Sequence, residues 1–181
     1  MHITSELAIV AGVPEKPKSE RRSGCPVSVA LEKFGDRWSL LIIRDLMVRG
    51  YKTFKQFQES GEGISTNILA DRLQKLEASE IILREPEATD GRKINYRLTD
   101  KGIDLAPVLL DLLLWSAKHE QTGAPCEVMS LMAENREAVL AETHRRWKDR
   151  DPNPILPPFV DQNSKKSPES KKSKGASHEQ S

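Results

Sequence analysis

The chain has 181 residues, enough for one domain with a full core and some unstructured flank. Its 28 Lys/Arg and 27 Asp/Glu give a formal net charge of +1, so bulk charge announces neither a nucleic-acid nor a membrane partner. No apolar run approaches the roughly 20 residues of a spanning helix. The two cysteines, Cys25 and Cys126, make no disulfide framework, so a cytoplasmic location is expected.

Hydrophobic residues make up 37% and charged residues 30%, low for a chain folded end to end. Residues 1–24 contain "PEKPKSERRSG" and little apolar periodicity, and are expected to form a flexible arm. "ELAIVAGV" is short and lacks a basic flank, which argues against a secretory signal. The folded part is expected over 25–123, followed by a C-terminal helix over 124–150. Residues 151–181, rich in Pro, Ser and Lys, are expected to be a disordered polar tail.

Pro26 suits the first turn of a helix carrying Val27, Val29, Ala30, Leu31 and Phe34, which Gly35 ends. "DRWSLLIIRDLMV" predicts a second, more buried helix with Trp38, Leu41, Ile42, Leu46 and Met47 inward, stopped by Gly50. "TFKQFQES" predicts a short third helix, in which Thr53 and Gln56 have capping-box spacing. The fourth starts at Ser65 as N-cap, with Ile64 and Leu69 at staple positions and an inward stripe of Ile68, Leu69, Leu73 and Leu76. "IILREPE" and "INYRLT" predict two strands joined by "ATDGRK", whose Asp-Gly pair signals a hairpin turn. Thr99 can cap a long fifth helix reaching His119, in which Pro107 should cause a kink or local break. "EVMSLMAENREAVLAETHRRW" predicts a sixth helix.

The order is four helices, two strands and a helix: mainly α, with a small β-hairpin wing. Helices three and four plus the hairpin make a winged helix-turn-helix. In that arrangement the fourth helix enters a major groove with its N-terminal residues toward base edges. This gives a reason for the small polar start of "STNILADRLQKLE", where a purely packing helix would use strong helix formers.

"CPVSVALEKFGDRWSLLIIRDLM", "TFKQFQES…GISTNILADRLQKLE" and "ILREPE…INYRLTDKGIDLAPVLLDLLLW" together resemble the HxlR-type transcription regulators, relatives of the MarR group. The resemblance runs from about Cys25 to His119. It implies a DNA-binding homodimer whose N-terminal cysteine, here Cys25, in some members senses oxidants or electrophiles. The later helix and the polar tail lie outside it.

On a helical wheel Asn67, Ala70, Asp71 and Gln74 face away from the leucine stripe, with Thr66 and Lys75 toward its edges. Such a face is either solvated or, in this fold, presented to DNA. Ser65, Thr66 and Asn67 are the expected base-edge or phosphate contacts, and Gln74 a candidate adenine reader. Asp71 would be repelled by phosphates. Arg72 falls inside the apolar stripe and calls for a carboxylate partner, with a phosphate contact as the alternative. Arg92 and Lys93 follow the hairpin turn, where they either solubilise it or reach the DNA. Lys52 and Lys55 flank the third helix, whose free backbone N–H groups would favour a phosphate. Each such contact would add salt-sensitive affinity for double-stranded DNA. Fourteen Lys/Arg face fourteen Asp/Glu between Cys25 and His119, so binding requires charge sorted onto one face.

"LAPVLLDLLLW" is apolar around much of its circumference, which suggests either a subunit interface shared with the first helix or central burial. Cys25 stands at a helix N-terminus, which favours the thiolate, and Arg21 and Arg22 add positive charge nearby. It is either a site for sulfenic acid or intersubunit disulfide chemistry or an inert small residue. No Cys/His spacing resembles a zinc site, and no cofactor is expected. A sequence-specific DNA-binding transcription regulator, a homodimer on a roughly palindromic operator with scope for a small-molecule or oxidant effector, is the leading expectation. A winged-helix protein-interaction module without specific DNA binding is the alternative. No glycine-rich phosphate loop or nucleophile–base pair points to an enzyme.

Overall fold

The computed structural model describes residues 23–87, 90–151 and 153–155. The chain runs through α1 (Pro26–Phe34), α2 (Arg37–Met47), α3 (Phe54–Gln58), α4 (Thr66–Ala78), β1 (Ile82–Pro86) and β2 (Ile94–Leu98). It continues with α5 (Asp100–Ile103), α6 (Ala106–His119), α7 (Cys126–Glu134) and α8 (Arg136–Asp149). The strands pair antiparallel, Ile82 opposite Leu98 and Pro86 opposite Ile94.

The core lies where α2, α3 and α4 meet the hairpin. Ile42 and Ile43 of α2, Phe57 of α3, and Leu69, Leu73 and Leu76 of α4 are buried with Ile81, Ile82, Tyr96, Leu98 and Ile103. Each fully buried side chain of this kind contributes roughly 1.5–3 kcal/mol. Phe57 and Tyr96 meet as tilted rings with centroids 6.0 Å apart, which ties α3 to the wing. Ile43, absent from the expected inward set, is fully buried.

The buried polar side chains of α2, Ser39 and Asp45, are satisfied locally. Asp36 caps α2, accepting from the Trp38 and Ser39 amides and, at 2.5 Å, from the Ser39 hydroxyl. That contact accounts for the burial of Ser39. Asp45, also buried, accepts from Arg44 and pairs with Arg49 at 3.1 Å. Burial raises the Asp45 carboxyl above its ordinary value, against the pull of Arg44 and Arg49.

Two expected helices are each two. Thr99 does cap its helix, accepting from the Gly102 amide. That helix, α5, ends at Ile103, however, and α6 restarts at Ala106 with Pro107 in its first turn. Proline lacks the N–H that would continue the ladder. Gly102 packs against the hairpin's start: a Cβ there would collide with the Ile81 carbonyl. The single helix expected over 124–150 is likewise α7 and α8. Asn135 leaves helical geometry at φ −114°, ψ 35°, and its side chain donates to the Leu131 carbonyl. Asparagine often competes for backbone groups in this way.

The chain beyond α8 stays attached as far as the description reaches. The Asp151 amide donates to the Arg146 carbonyl and the Ile155 amide to the Val48 carbonyl. The remainder of the expected tail, 152 and 156–181, and of the expected arm, 1–22, lies outside the described residues.

Candidate nucleic-acid interface

Helix α4 is fixed from one side and free on the other. Ser65 caps it, accepting from the Ile68 amide at 3.4 Å. Ile64, Leu69, Leu73 and Leu76 are buried against the core. Ser65, Thr66, Asn67, Ala70, Asp71 and Gln74 are therefore exposed. Ile68, expected in the inward stripe, is exposed, because the buried ridge follows positions 69, 73 and 76 and leaves 68 at its margin.

Arg72 reaches back to the α2 cap: its Nε donates to Asp36 Oδ1 at 2.9 Å, and its Nη1 to Asp71 Oδ2 at 2.7 Å. The carboxylate partner expected for this arginine is Asp36. Asp71 also pairs with Lys75 at 2.9 Å, so its charge is offset on the outer face.

The turn before α4 is held as well. Gly61 and Gly63 adopt φ of +89° and +74°, which glycine takes without strain. Glu62 between them pairs with Arg44 of α2 at 2.8 Å and with Arg37 at 3.5 Å. Burial pushes the Glu62 carboxyl up, but hydrogen bonding and charge from Arg44, with Arg49 and Arg37, hold it below the ordinary value.

Lys52 and Lys55 are exposed at the start of α3. Part of the amide set expected to be free there is used. The Lys52 and Thr53 amides donate to Gln56 Oε1, and the Gln56 amide to Thr53 Oγ1, so the capping box uses them internally. Lys52 has a structural part: its carbonyl accepts from the Tyr96 amide at 2.7 Å, setting the start of α3 beside the wing.

At the wing tip the Lys93 amide closes a turn on the Asp90 carbonyl, and the Glu87 amide donates to the Lys93 carbonyl. Gly91 has no positive φ, so the Asp-Gly pair marks the turn without adopting the mirror-image geometry it often takes. Arg92 is 95% exposed and Lys93 66%. Both lie near carboxylates, Arg92 at 3.4 Å from Asp90 and Lys93 at 4.0 Å from Glu87. Lys55 similarly faces Glu59 at 3.8 Å. Exposed pairs contribute little and exchange readily for other anions.

Cys25 is the exposed N-cap of α1. The Ser28 amide, then that of Val27, lowers its thiol below the ordinary value, although the sulfur closes no capping hydrogen bond. The flanking Arg21 and Arg22 lie outside the described residues. Cys126, also exposed, opens α7.

Sequence reasoning missed the brace behind the wing. Trp147 of α8 donates its indole N–H to the Leu98 carbonyl at 2.9 Å. Arg97 donates to the Trp147 carbonyl and stacks over the indole ring at 4.8 Å. Arg150 forms two 3.0 Å bonds with Glu85 of β1. The one signal was a lone tryptophan ending an otherwise polar helical stretch.

A capped helix presented on a three-helix core beside a β-hairpin defines a winged helix-turn-helix transcription regulator. The chain belongs to the HxlR-like helix-turn-helix family, whose pattern matches residues 33–123. The HTH-type transcriptional regulator YodB of Bacillus subtilis (strain 168) is 37% identical over 100 residues, 55% of this chain and 88% of YodB. YdeP of the same organism, another HTH-type transcriptional regulator, is 31% identical over 102 residues, 56% of this chain and 79% of YdeP. The solved structure of PA1607 shares 38% identity with a TM-score of 0.53, covering 57% of this chain and 71% of that one. The family match stops at Gly123, so α7 and α8 lie beyond it. Among the described residues, no helix is long and apolar enough to cross a membrane.

Proposed function

We propose that this regulator acts as a homodimer that binds a roughly palindromic operator through α4 and the wing. The observation that carries the proposal is the outer face of α4. Thr66, Asn67 and Gln74 are exposed there, while Leu69, Leu73, Leu76 and the Arg72–Asp36 bond fix the helix from behind. Side-chain amides and hydroxyls so held suit base edges, and Lys52, Lys55, Arg92 and Lys93 suit the phosphates on either side.

The dimer is supported by apolar surface that one subunit leaves uncovered. Val27 and Leu31 of α1 are 66% and 57% exposed, and Trp115 of α6 is 57% exposed beside Leu112 and Val108. Pairing these helices would place two copies of α4 in successive major grooves, about 10 base pairs apart. Cys25, exposed on α1 with a lowered thiol pKa, supports an oxidant or electrophile as the signal. Its modification would change the packing of a helix assigned to the interface and so the spacing of the two α4 helices.

The test is fluorescence anisotropy of the reduced protein on labelled DNA from upstream of its own coding region, against scrambled DNA at physiological salt. Binding tighter by about a thousandfold, with two chains per site, is the expected result. Equal weak binding to both DNAs, with a stable co-purifying protein, would favour a protein-interaction module instead.

A further inference from the structure

Helices α2, α6 and the α7–α8 pair surround a cavity of about 360 Å³. Its walls are mainly aliphatic, among them Leu40 and Met47 of α2, Leu109 and Leu113 of α6, Met132 of α7 and Leu140 of α8. It lies at the small end of the range for small-molecule sites. It opens to solvent past Leu112 and Thr122, and an apolar cleft of this kind favours apolar molecules.

The polar groups on the walls define the ligand further. Arg44 and Arg49 also line the cavity, but both are committed: Arg44 to Asp45 and Glu62, Arg49 to Asp45 and the Ser60 carbonyl. Two cations and two carboxylates cancel, so an anion gains nothing there. The Thr143 hydroxyl donates to the Val139 carbonyl of its own helix. Ser116 and Thr122 supply two hydroxyls, enough for one or two hydrogen bonds to a neutral molecule.

One wall is also the brace of the wing. Val139, Leu140 and Thr143 of α8 face the cavity, and Trp147 and Arg150 beside them hold Leu98 and Glu85. Ile155, which lines the cavity too, is bonded through its amide to the end of α2. We infer that this cavity binds a neutral, largely apolar small molecule about two aromatic rings in size, and that its occupancy is transmitted to the wing through α8. Helices α2 and α6 supply most of the walls from within the family-matched span, and α7 and α8, which lie beyond it, close the other side.

The experiment titrates the full chain with the neutral fluorescent probe N-phenyl-1-naphthylamine and, separately, with the anionic 8-anilinonaphthalene-1-sulfonate. Saturable binding at one neutral probe per chain is expected, at least about tenfold tighter than the sulfonate. Hydrogen exchange of the wild-type chain should slow along α6 and α8 when the neutral probe is bound, and should change at Ile94–Leu98 of the wing. Val139→Phe, and Ala124→Phe in the loop before α7, should each weaken the probe at least about tenfold while circular dichroism stays unchanged. Non-saturable binding, equal affinity for the sulfonate, or protection confined to α1 and the outer face of α6 would overturn the site; the last would mean that the probe marks the subunit interface. Unchanged exchange at Ile94–Leu98 would overturn the transmission. Neither readout requires DNA, so neither depends on the operator proposal.

Discussion

Arg72 Nε lies 2.9 Å from Asp36 Oδ1, joining the middle of α4 to the cap of α2 behind it. One carboxylate thus caps α2, satisfies buried Ser39 and fixes α4. Burial pushes the Asp36 carboxyl up, but the Ser39 hydroxyl and amide, the Arg72 charge and the Trp38 amide outweigh it and hold it below its ordinary value. A depressed carboxyl stabilises the fold fully above its unfolded value near 3.8, and the contribution is lost as pH falls through the lower folded value. Asp36→Ala should cost about 1 kcal/mol or somewhat more at pH 7, from removal of the cap alone. In thermal melts the gap between variant and wild type should narrow below pH 4. A gap that is constant with pH would show that the carboxylate charge is not what matters.

The wing tip should act through charge and not sequence. Arg92→Ala/Lys93→Ala is expected to leave the melting temperature unchanged, because both side chains are exposed and their pairs are weak. Its affinity should fall equally on operator and scrambled DNA. The slope of log affinity against log salt should shrink by about 0.9 for each phosphate that is no longer neutralised. An unchanged slope would place both residues in solvent.

Trp147→Phe keeps an aromatic ring under Arg97 but removes the N–H that meets the Leu98 carbonyl together with part of the ring packed against the core. The loss should be at least about 1 kcal/mol, each kcal/mol corresponding to roughly 2–4 °C in melting temperature for a chain of this size. Hydrogen exchange should quicken at Tyr96–Leu98 before it does in α2. Exchange unaltered at the wing would mean that α8 is a passenger there.

Cys25 should be alkylated with a pH midpoint lower in the folded than in the urea-unfolded protein, measured with Cys126→Ser to isolate it. The Ser28 and Val27 amides that favour its thiolate exist in that arrangement only when α1 is formed. Oxidation should release DNA from wild type and not from Cys25→Ser. Release that is equal in both would remove Cys25 from the response.

Much of this architecture was legible in the residues, for identifiable reasons. Ser65, Thr53 and Thr99 are N-caps whose side-chain chemistry needs no tertiary context, and all three cap in the structure. Arg72 betrayed a partner because a guanidinium within an apolar stripe requires one, although only the fold could nominate Asp36, 36 residues away. Ile68 was misjudged because a helical wheel gives angle, not depth, and its ridge ends at Leu69. Asn135 divided a helix that apolar periodicity alone would continue. The grip of Trp147 on Leu98 spans 49 residues, a pairing no local pattern encodes. The same limit hid the cavity, which exists only where α7 and α8 fold back over α6.

The most direct measurement is anisotropy of a Thr66→Ala/Asn67→Ala chain on the operator and on scrambled DNA, with thermal melts alongside. Both side chains are exposed in the first turn of α4, so the melting temperature should hold. Operator affinity should drop about tenfold to a hundredfold, the scale set by removing one base-edge hydrogen-bonding pair, while scrambled-DNA affinity barely changes. Undiminished operator binding by the folded variant would contradict the assignment of α4 as the reading helix.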